Sequence, residues 1–302
     1  MKALVIGYGS IGNRHARLLT SLGCEVAVLS SRNIDIPVRF RTLTEALSWQ
    51  PGYVVVANRT SEHYRTLVAL AEHGFSGTVL VEKPLFHHEA TLPSLGFERV
   101  YVGYNLRFHP VLQRLQSVMK NEKLISAECY VGGYLPDWRP DTDYRDCYSA
   151  DIKLGGGVLR DLSHELDYLN WLLGGWERLI AAGGHYSSLE IESDDAWVIM
   201  MSTRKCPLVS VQLNYLDRAA RRRILINTDN HTIEADLKNG SIMFDDQLEE
   251  FMSVRDYTYT EQHRAILDNR SEFLCTIEEG IDVMRMIHAA EQSVKKKKWI
   301  SR

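Results

Sequence analysis

A glycine-rich turn follows the first apolar run of the chain. It reads Gly7-Tyr8-Gly9-Ser10-Ile11-Gly12, the spacing GxGxxG, and a run with helical periodicity comes after it. Between a strand and a helix, the first glycine permits the tight turn, the second lets the backbone approach a pyrophosphate, and the third lets helix and strand pack closely. The amino end of the helix then faces the phosphates, because its dipole favours negative charge. The turn therefore predicts a dinucleotide site at residues 7–12.

The second apolar run ends in Ser30-Ser31-Arg32, the place where dinucleotide sites distinguish their cofactors. An NAD site usually has Asp or Glu there, about 20 residues beyond the glycines, to bind the ribose 2′-hydroxyl. This sequence has no carboxylate in that place before Asp35. Hydroxyls with a guanidinium suit a 2′-phosphate, because arginine makes bidentate charge-assisted hydrogen bonds to phosphate. We therefore expect Ser30, Ser31 and Arg32 to bind NADP, with NAD as the alternative cofactor and a solvated Arg32 as the alternative interpretation.

A lysine follows another apolar run, in the string Val81-Glu82-Lys83-Pro84. Open parallel sheets bind ligands at the carboxyl ends of their strands, which is where this lysine stands. Beside a nicotinamide ring, its ammonium would hold a substrate oxygen and stabilise developing alkoxide charge. A surface lysine next to a turn proline is the plainer interpretation.

A histidine lies in a stretch with helical periodicity, residues 157–173, one side of which is apolar at about 100° per residue. The other side has His164 near its middle and carries Arg160, Asp161, His164, Asp167, Tyr168 and Trp171. Such a side either contacts water or lines a cleft. Its two large aromatic residues favour a cleft, because large aromatic side chains are usually shielded from water. An imidazole titrates near neutrality, so it can exchange a hydroxyl proton while hydride moves. We predict no metal site, because a zinc helix needs a second histidine at helical spacing.

A loop just before that stretch, residues 134–150, is dense in Trp, Tyr, Arg and Asp. Its Trp138 and Arg139 could bind a substrate, because aromatic faces and guanidinium groups suit sugar rings, carboxylates and phosphates. They could equally tie down a long loop or line a subunit interface.

Alternating apolar and amphipathic stretches must position these residues in the first part of the chain. The apolar runs predict strands over 2–7, 26–30, 53–58, 78–82 and 99–103, with a weaker one over 38–41. Stretches with helical spacing lie between them, over 11–22, 43–49 and 61–73. This alternation predicts an α/β domain over 1–104, a doubly wound parallel sheet with helices on both faces.

The pattern changes in residues 105–302. Helices are predicted over 108–119, 157–173, 259–276 and 277–297. Strand-like runs cover 124–132, 179–186, 196–203, 207–216, 223–227, 231–236 and 241–245. Because short turns join most of these runs, we predict an α+β domain with a large open, mostly antiparallel sheet.

Bulk composition excludes several other classes of protein. The chain of 302 residues is 45% hydrophobic and 25% charged, which is typical of globular proteins. Its net charge of −4 argues against nucleic acid as a partner, and the lysine run 295–298 is typical of a solvated helix end. We expect no membrane contact, since no apolar stretch approaches the span of a bilayer. Five scattered cysteines fit a reducing compartment, and the chain enters a strand without a signal peptide, so we expect a cytoplasmic protein.

Four strings, taken in order, resemble the Gfo/Idh/MocA oxidoreductase family over nearly the whole chain. They are the glycine turn, Asn58-Arg59-Thr60-Ser61-Glu62-His63, Glu82-Lys83-Pro84, and Gly155-Gly156-Gly157 before the helix with Asp161, His164 and Asp167. The resemblance implies a Rossmann domain followed by an α/β domain whose large open sheet often forms oligomer contacts. We therefore expect a homodimer or homotetramer through the C-terminal sheet.

The resemblance also implies roles for individual residues. Lys83 would lie at the nicotinamide and substrate, and His164 would be the general acid/base. Residues along the cofactor would include Asn58, Thr60, His63 and Glu82, while Asn105 and Arg107 would lie near the substrate cleft. Asp161 departs from the family pattern, because it stands three residues before His164 rather than four. Whether Asp161 or Glu165 supports His164 therefore stays open, and we include Glu165 among the candidate substrate residues.

These observations predict an NAD(P)-dependent oxidoreductase. It would transfer hydride between the cofactor and a hydroxyl or keto carbon of a sugar, sugar nucleotide or polyol. One alternative is a cofactor-binding sensor without turnover, and another is an enzyme whose cofactor stays bound through an oxidation–reduction cycle. The presence of both Lys83 and His164 favours an enzyme, because a sensor has no chemical need for that pair.

Overall fold

The computed structural model describes residues 1–34, 36–88 and 90–302. The chain forms two compact units, Met1–Asn105 with Thr258–Ile281, and Leu106–Tyr257 with Asp282–Arg302. The first crossing therefore lies one residue beyond the predicted end of the first domain at 104. The segment Thr258–Ile281 belongs to the first unit, although its sequence position placed it in the predicted second domain. Within the described ranges, no helix combines the length and apolar character that crossing a membrane requires.

The first unit contains a seven-stranded sheet. Its parallel strands are β1 Lys2–Ile6, β2 Glu25–Leu29, β3 Arg39–Phe40, β4 Tyr53–Val56, β5 Thr78–Val81 and β6 Arg99–Val102. The short strand Cys275–Thr276 pairs antiparallel with β6 at one edge, and the order continues β5, β4, β1, β2, β3. The central strands are apolar on both faces because helices cover both, and β4 is fully buried along its length. The predicted parallel sheet is thus confirmed.

Three helices connect the strands of this unit. They are α1 Ser10–Ser21, α2 Leu43–Ser48 and α3 His63–Glu72. The first turn of α2 is closed by a capping box, in which the Thr42 hydroxyl accepts from the Glu45 amide and the Glu45 carboxylate accepts from the Thr42 amide. The buried side of α1 includes Gly12 and His15.

The second unit contains a nine-stranded sheet. Its strands are β7 Leu124–Gly132, β8 Trp176–Gly184, β9 Ala196–Thr203, β10 Leu208–Asn214, β11 Arg222–Thr228, β12 Thr232–Asp236, β13 Ser241–Phe244 and β14 Gln247–Glu250, with Ile300–Ser301 beside β8. Every pairing is antiparallel except that of β7 with β10. The predicted mostly antiparallel sheet is confirmed.

The helices of this unit are α4 Pro110–Met119, α5 Val158–Asp161 and α6 His164–Leu172. The prediction of a single helix over 157–173 is wrong, because the helix is interrupted between α5 and α6. Leu162 has φ −97° and ψ 30°, and the amides of Ser163 and Glu165 bond carbonyls three residues back instead of four. As a result His164 is the first residue of a helix.

Two further helices close the chain, α7 Tyr257–Leu267 and α8 Ile277–Lys296. The helix predicted over 259–276 is too long, because Asn269 adopts φ +57° and Cys275–Thr276 pairs in the first sheet. The strands Gln247–Glu250 and Ile300–Ser301 were not predicted, since both are short and lack an apolar alternation.

Candidate functional site

The glycine turn at the carboxyl end of β1 gives each glycine a different surrounding. Gly7 has φ +93°, and a Cβ added there would lie 2.6 Å from backbone atoms of Asn58. A Cβ on Gly12 would lie 2.0 Å from the carbonyl oxygen of Gly7. A Cβ on Gly9 would meet no described heavy atom within 4 Å. Gly7 and Gly12 are therefore required for packing, whereas Gly9 borders open space that a ligand can enter.

The amino end of α1 is free of side-chain caps. Its N-cap residue is Gly9, no side-chain hydrogen bond caps it, and its first turn has no acidic residue. The first amides of a helix have no partner within the helix, and the dipole there favours an anion. Together with the space beside Gly9, these amides fit the pyrophosphate of a dinucleotide.

Asn58 lies just beyond β4, beside the glycine turn. Its amide nitrogen donates to the Thr66 hydroxyl at 2.8 Å. Its Oδ1 is buried and has no hydrogen-bond partner among the described residues. A buried acceptor without a donor is costly, so this atom fits a donor supplied by a ligand. Thr60 is partly exposed in the same segment.

His63 lies beneath this edge of the sheet and is 1% exposed. Its Nδ1 is 3.1 Å from the carbonyl oxygen of Leu85, and its Nε2 is 3.3 Å from that of Asn58. Burial lowers the pKa of this imidazole. His63 thus joins the segment after β4 to the segment after β5, and its contact with a cofactor stays a prediction.

Glu82 and Lys83 follow β5 at the same edge. Glu82 is 7% exposed, and its Oε2 accepts the backbone N–H of Lys83 at 3.2 Å. Its Oε1 is 3.0 Å from Nε2 of His15. The side chain of Lys83 is partly exposed. The carboxylate of Glu82 therefore fixes the peptide that carries the lysine.

Two guanidinium groups lie near the end of β2, Arg32 in the loop that follows it and Arg39 at the start of β3. Ser30 is nearly buried and its hydroxyl accepts the Arg32 amide at 3.2 Å, whereas Ser31 and Arg32 are exposed. Arg39 donates to the Arg32 carbonyl oxygen at 3.1 Å and to Oδ1 of Asn33 at 2.8 Å. Arg39 was not among the predicted site residues. Asp35, which ends the carboxylate-free stretch of the sequence, lies outside the described residues.

The polar side of α5 and α6 in the second unit is buried. Arg160, Asp161 and His164 are 5–9% exposed, and Asp167 and Tyr168 are at most 1% exposed. The interpretation of this side as a solvated helix face is therefore wrong. Arg160 forms an ion pair with Glu291 at 2.6 Å, which connects α5 to α8.

Arg107 and Asp167 form a buried ion pair at 2.7 Å, with each side chain 2% exposed. Nε of Arg107 also donates to both oxygens of Asp167, and the guanidinium lies 5.4 Å from the ring centroid of Trp171. Such an enclosed pair fixes α6, and Arg107 has almost no surface for a substrate. Asn105, in the first unit, is 3% exposed and donates to the Thr258 hydroxyl at 2.6 Å.

Asp161 accepts a hydrogen bond from the Tyr215 hydroxyl at 2.7 Å. Burial and the charge of Asp161 raise the pKa of the Tyr148 phenol well above its usual range. Burial, reinforced by the charge of Asp161, raises the pKa of Tyr215 well above its usual range, so the phenol stays a donor. Asp161 is thus oriented by Tyr215, the residue that follows β10. These two tyrosines were missed because their contacts are distant in sequence.

Glu165 lies on the sheet side of α6. It is fully buried, its Oε1 is 2.9 Å from Nε of Arg222, and the Tyr168 hydroxyl donates to the same oxygen at 3.2 Å. With no exposed surface, Glu165 has none to offer a substrate, contrary to the candidate role given to it above. Its described contacts hold α6 against β11.

The predicted substrate loop borders a small cleft in the second unit, with a volume of about 10 Å³. Trp138, Arg139 and Tyr144 are among its lining residues. Trp138 is 38% exposed and packs edge-to-face on Tyr215 with the ring centroids 5.1 Å apart. Arg139 lies over the Tyr148 ring at 5.5 Å. Trp138 therefore contacts the tyrosine that donates to Asp161, and Arg139 contacts a tyrosine whose pKa the charge of Asp161 raises.

Among the described residues, no three His, Cys, Asp or Glu side chains lie close enough together to hold a metal ion.

Known proteins resemble the chain in fold. GenD2 from gentamicin A biosynthesis, solved with NAD, is 20% identical, with a TM-score of 0.79 and coverage of 100% of this chain and 96% of that one. The WlbA dehydrogenase from Bordetella pertussis, solved with NADH and UDP-GlcNAcA, is 17% identical, with a TM-score of 0.80 and coverage of 100% and 98%. A putative NADPH-dependent oxidoreductase from Desulfitobacterium hafniense is 15% identical, with a TM-score of 0.82 and coverage of 100% and 97%.

No curated protein shows significant sequence similarity to the chain. Residues 142–301 match the Gfo/Idh/MocA family model described as "Oxidoreductase family, C-terminal alpha/beta domain". That match spans more than half of the 302 residues. The chain therefore belongs to the Gfo/Idh/MocA oxidoreductase family.

Proposed function

We propose that the chain is an NADP-dependent dehydrogenase or reductase acting on a hydroxyl or keto carbon of a sugar, sugar nucleotide or polyol. The observation that carries the proposal is the uncapped amino end of α1 with open space beside Gly9. Family membership supports oxidoreductase chemistry in particular. The unpaired acceptor of Asn58 supports a ligand at the same edge.

The preference for NADP rests on charge at the end of β2. Arg32 is exposed there, and Arg39 donates to the Arg32 carbonyl oxygen. A guanidinium on the loop after β2 and a second one at the start of β3 suit a dianionic 2′-phosphate better than a neutral 2′-hydroxyl. Among the similar structures, that from Desulfitobacterium hafniense is named a putative NADPH-dependent oxidoreductase, while GenD2 was solved with NAD.

The chain's own residues supply positioning and proton transfer. A bound nicotinamide cofactor supplies or accepts the hydride. The Lys83 ammonium would hold the substrate oxygen and stabilise negative charge that develops on it. His164 would take the hydroxyl proton during oxidation and return it during reduction. Asp161, oriented by the Tyr215 hydroxyl, would be the carboxylate that supports this proton transfer.

The carbohydrate-like substrate is proposed from the loop before α5. Trp138 offers a partly exposed indole and Arg139 an exposed guanidinium beside the cleft. Aromatic faces pack on sugar rings, and a guanidinium pairs with carboxylate or phosphate. The WlbA dehydrogenase, solved with UDP-GlcNAcA, is a neighbour whose ligand combines these groups.

We also propose that copies of the chain associate through the nine-stranded sheet. On β9, Val198 and Met200 are 45% and 53% exposed, whereas Ile199 between them is buried. Leu208 on β10 is 62% exposed. An exposed apolar strip on one face of a sheet can pack against the same strip of a second copy of the chain. We propose the cytoplasm as the compartment, because all five cysteines are free thiols.

Titration followed by turnover tests the proposal. NADPH and NADH are titrated separately by nicotinamide fluorescence, and NADPH is expected to bind at least about 10-fold more tightly. A panel of sugars, polyols and sugar nucleotides is then assayed with the preferred cofactor at 340 nm. Reversible binding without turnover on any of the panel would favour a sensor, and absence of cofactor binding would refute the proposal.

A further inference from the structure

Four side chains form a continuous hydrogen-bonded chain in the core of the first unit. The Tyr53 hydroxyl is 2.9 Å from Nδ1 of His263, whose Nε2 is 2.8 Å from Nδ1 of His15. Nε2 of His15 is in turn 3.0 Å from Oε1 of Glu82. Tyr53, His15 and His263 are 0% exposed and Glu82 is 7% exposed. Each imidazole therefore uses both of its nitrogens inside the protein.

The chain of hydrogen bonds runs along the sheet towards the ligand edge. It starts at Tyr53, the first residue of β4, and ends at Glu82, just beyond the last residue of β5. The second oxygen of Glu82 accepts the backbone N–H of Lys83 at 3.2 Å. Gly103 closes over the carboxylate, since a Cβ added there would lie 2.7 Å from Oε1 of Glu82. The Glu82 carboxylate thus connects the hydrogen bonds that begin at Tyr53 to the backbone N–H of Lys83.

The donors in this chain have one arrangement when both imidazoles are neutral. Burial, with the nearby His15, lowers the pKa of His263 well below its usual range, and burial raises the pKa of Tyr53 well above its own. Tyr53 then donates to His263, and His263 donates through Nε2 to His15. His15 donates through Nε2 to the Glu82 carboxylate, an acceptor-only group when ionised. All three donors point towards Glu82.

Protonation of His15 would reverse two of these hydrogen bonds. A charged His15 donates through Nδ1 as well, so His263 must accept at Nε2 and donate through Nδ1 to the Tyr53 oxygen. The two arrangements therefore differ in the tautomer of His263, which is a measurable property. The neighbouring Tyr259 ring packs edge-on to His15, with the ring centroids 5.5 Å apart.

Stability alone gives little reason for such a chain. Replacing both partners of a buried hydrogen bond by apolar groups of similar shape can be nearly neutral, whereas removing one partner is costly. A fully connected buried network fixes geometry, because each member has a single satisfactory arrangement. In this network the fixed group is the carboxylate that holds Lys83.

We propose that Tyr53, His263 and His15 are positioning residues, which orient the Glu82 carboxylate and through it the peptide of Lys83. The inference rests on the proposed role of Lys83 for its catalytic consequence. The hydrogen-bonded chain and its effect on the Lys83 amide stand apart from that role and are tested separately.

Nitrogen NMR of the full chain with ¹⁵N-labelled histidine tests the donor arrangement. With His15 neutral, we expect both His15 and His263 to be the Nε2–H tautomer. Tyr53→Phe removes the donor to Nδ1 of His263 and should change the ¹⁵N chemical shift of that nitrogen, while both histidines keep the Nε2–H tautomer. Tyr101→Phe, in the adjacent strand β6, is the matched control and should change neither histidine. A His263 that is already Nδ1–H in the unmodified chain would overturn the arrangement.

Amide exchange of Lys83 tests the positioning without any substrate. His15→Leu removes the donor to Glu82, while His15→Gln keeps an N–H near the position of Nε2. We expect His15→Leu to accelerate exchange of the Lys83 amide by at least about 10-fold, the effect of losing a hydrogen bond to a charged group, and His15→Gln to restore most of the protection. Unchanged exchange in folded His15→Leu would refute the positioning role, and if that variant does not fold, Tyr53→Phe carries the same test.

Turnover of the same variants tests the catalytic consequence. With the sugar or sugar nucleotide that the panel identifies, Tyr53→Phe and His15→Leu should lower kcat while KM and the Kd for NADPH stay within about 2-fold. In a Lys83→Ala background the same changes should have no further effect on kcat. Altered exchange with unaltered kcat would reject the catalytic consequence. A chain without turnover would reject the proposed function and leave the exchange result standing.

Discussion

Gly9→Ala separates folding from cofactor binding more cleanly than any other single substitution. Gly9 has φ −83° and ψ −165°, a conformation open to any residue, and an added Cβ meets no described heavy atom within 4 Å. Losing glycine at an N-cap costs about 1 kcal/mol. The smaller freedom of the unfolded chain returns about 0.4–1 kcal/mol. The free energy of unfolding should therefore change by less than about 1 kcal/mol.

Binding should respond much more strongly to the same methyl group. If the pyrophosphate approaches the backbone at Gly9, the methyl group occupies that space and pushes the phosphates from the α1 amides. We expect the Kd for NADPH to rise at least about 10-fold, which corresponds to about 1.4 kcal/mol. The measurements are calorimetric titration with NADPH and chemical denaturation of the cofactor-free protein.

Two other glycines calibrate this experiment. Gly52, away from the turn, would place its Cβ no closer than 4.0 Å to a neighbour, so Gly52→Ala should alter neither quantity. Gly12→Ala would force a contact of 2.0 Å with a backbone oxygen and should destabilise the fold by about 1–3 kcal/mol or more. An NADPH affinity for Gly9→Ala within about 2-fold of the unmodified chain would refute the placement of the pyrophosphate.

Three further predictions concern other residues. Lys83→Ala and His164→Ala should each lower kcat at least about 100-fold and leave the affinity for NADPH nearly unchanged. Steady-state rates and stopped-flow binding measure the two quantities. A variant that loses as much NADPH affinity as turnover would argue against a catalytic role for that residue. Arg32→Ala should weaken NADPH at least about 10-fold and leave NADH unchanged in parallel titrations, and equal weakening of both would mean that Arg32 does not bind the 2′-phosphate. Burial, reinforced by Arg222, lowers the pKa of His109 to about 4. An unfolded histidine has a pKa of about 6.5, so between about pH 4 and about pH 6.5 the unfolded state binds more protons than the folded state. The contribution of His109 to the free energy of unfolding is therefore fully present above about pH 6.5, and it falls by up to about 3 kcal/mol as the pH drops to about 4. His109→Asn keeps an N-cap side chain on α4 and should flatten that slope in denaturation curves; an identical slope would show that another group causes it.

The sequence predicted the elements whose pattern is local. The strands β1, β4 and β5 are unbroken apolar runs, and the strand–turn–helix at Gly7 has a fixed spacing, so both follow from nearby residues. The alternation in β9 and β10 likewise predicts a sheet with one buried face. These elements carry the parallel and antiparallel sheets, and both were correctly assigned to their parts of the chain.

Features that depend on distant contacts could not be predicted in this way. The break before His164 is not visible in the pattern, because 157–173 keeps helical spacing across it. Thr258–Ile281 belongs to the first unit through contacts that are distant in sequence, among them the pairing of Cys275 and Thr276 with β6 and the hydrogen bonds of His263 to His15 and Tyr53. The sequence pattern of a polar helix side is the same whether that side contacts water or a buried arginine. Asp167 is bound by Arg107, which is 60 residues away in the sequence, so the local pattern could not predict its burial.

The same reasoning applies to the buried polar network. His15 stands three residues after Gly12 on the buried side of α1, which the periodicity places in the core. Its partner His263 is 248 residues away, so no spacing rule connects them. A buried histidine predicted from periodicity therefore signals a polar partner without identifying it.

The most direct measurement of the central claim is a crystal structure of the full chain with NADP. The account predicts pyrophosphate oxygens within hydrogen-bond distance of the first amides of α1, about 2.7–3.2 Å, with Arg32 on the 2′-phosphate. Density for the nucleotide at any other place, or a first turn of α1 that contacts only solvent at saturating NADP, would contradict it.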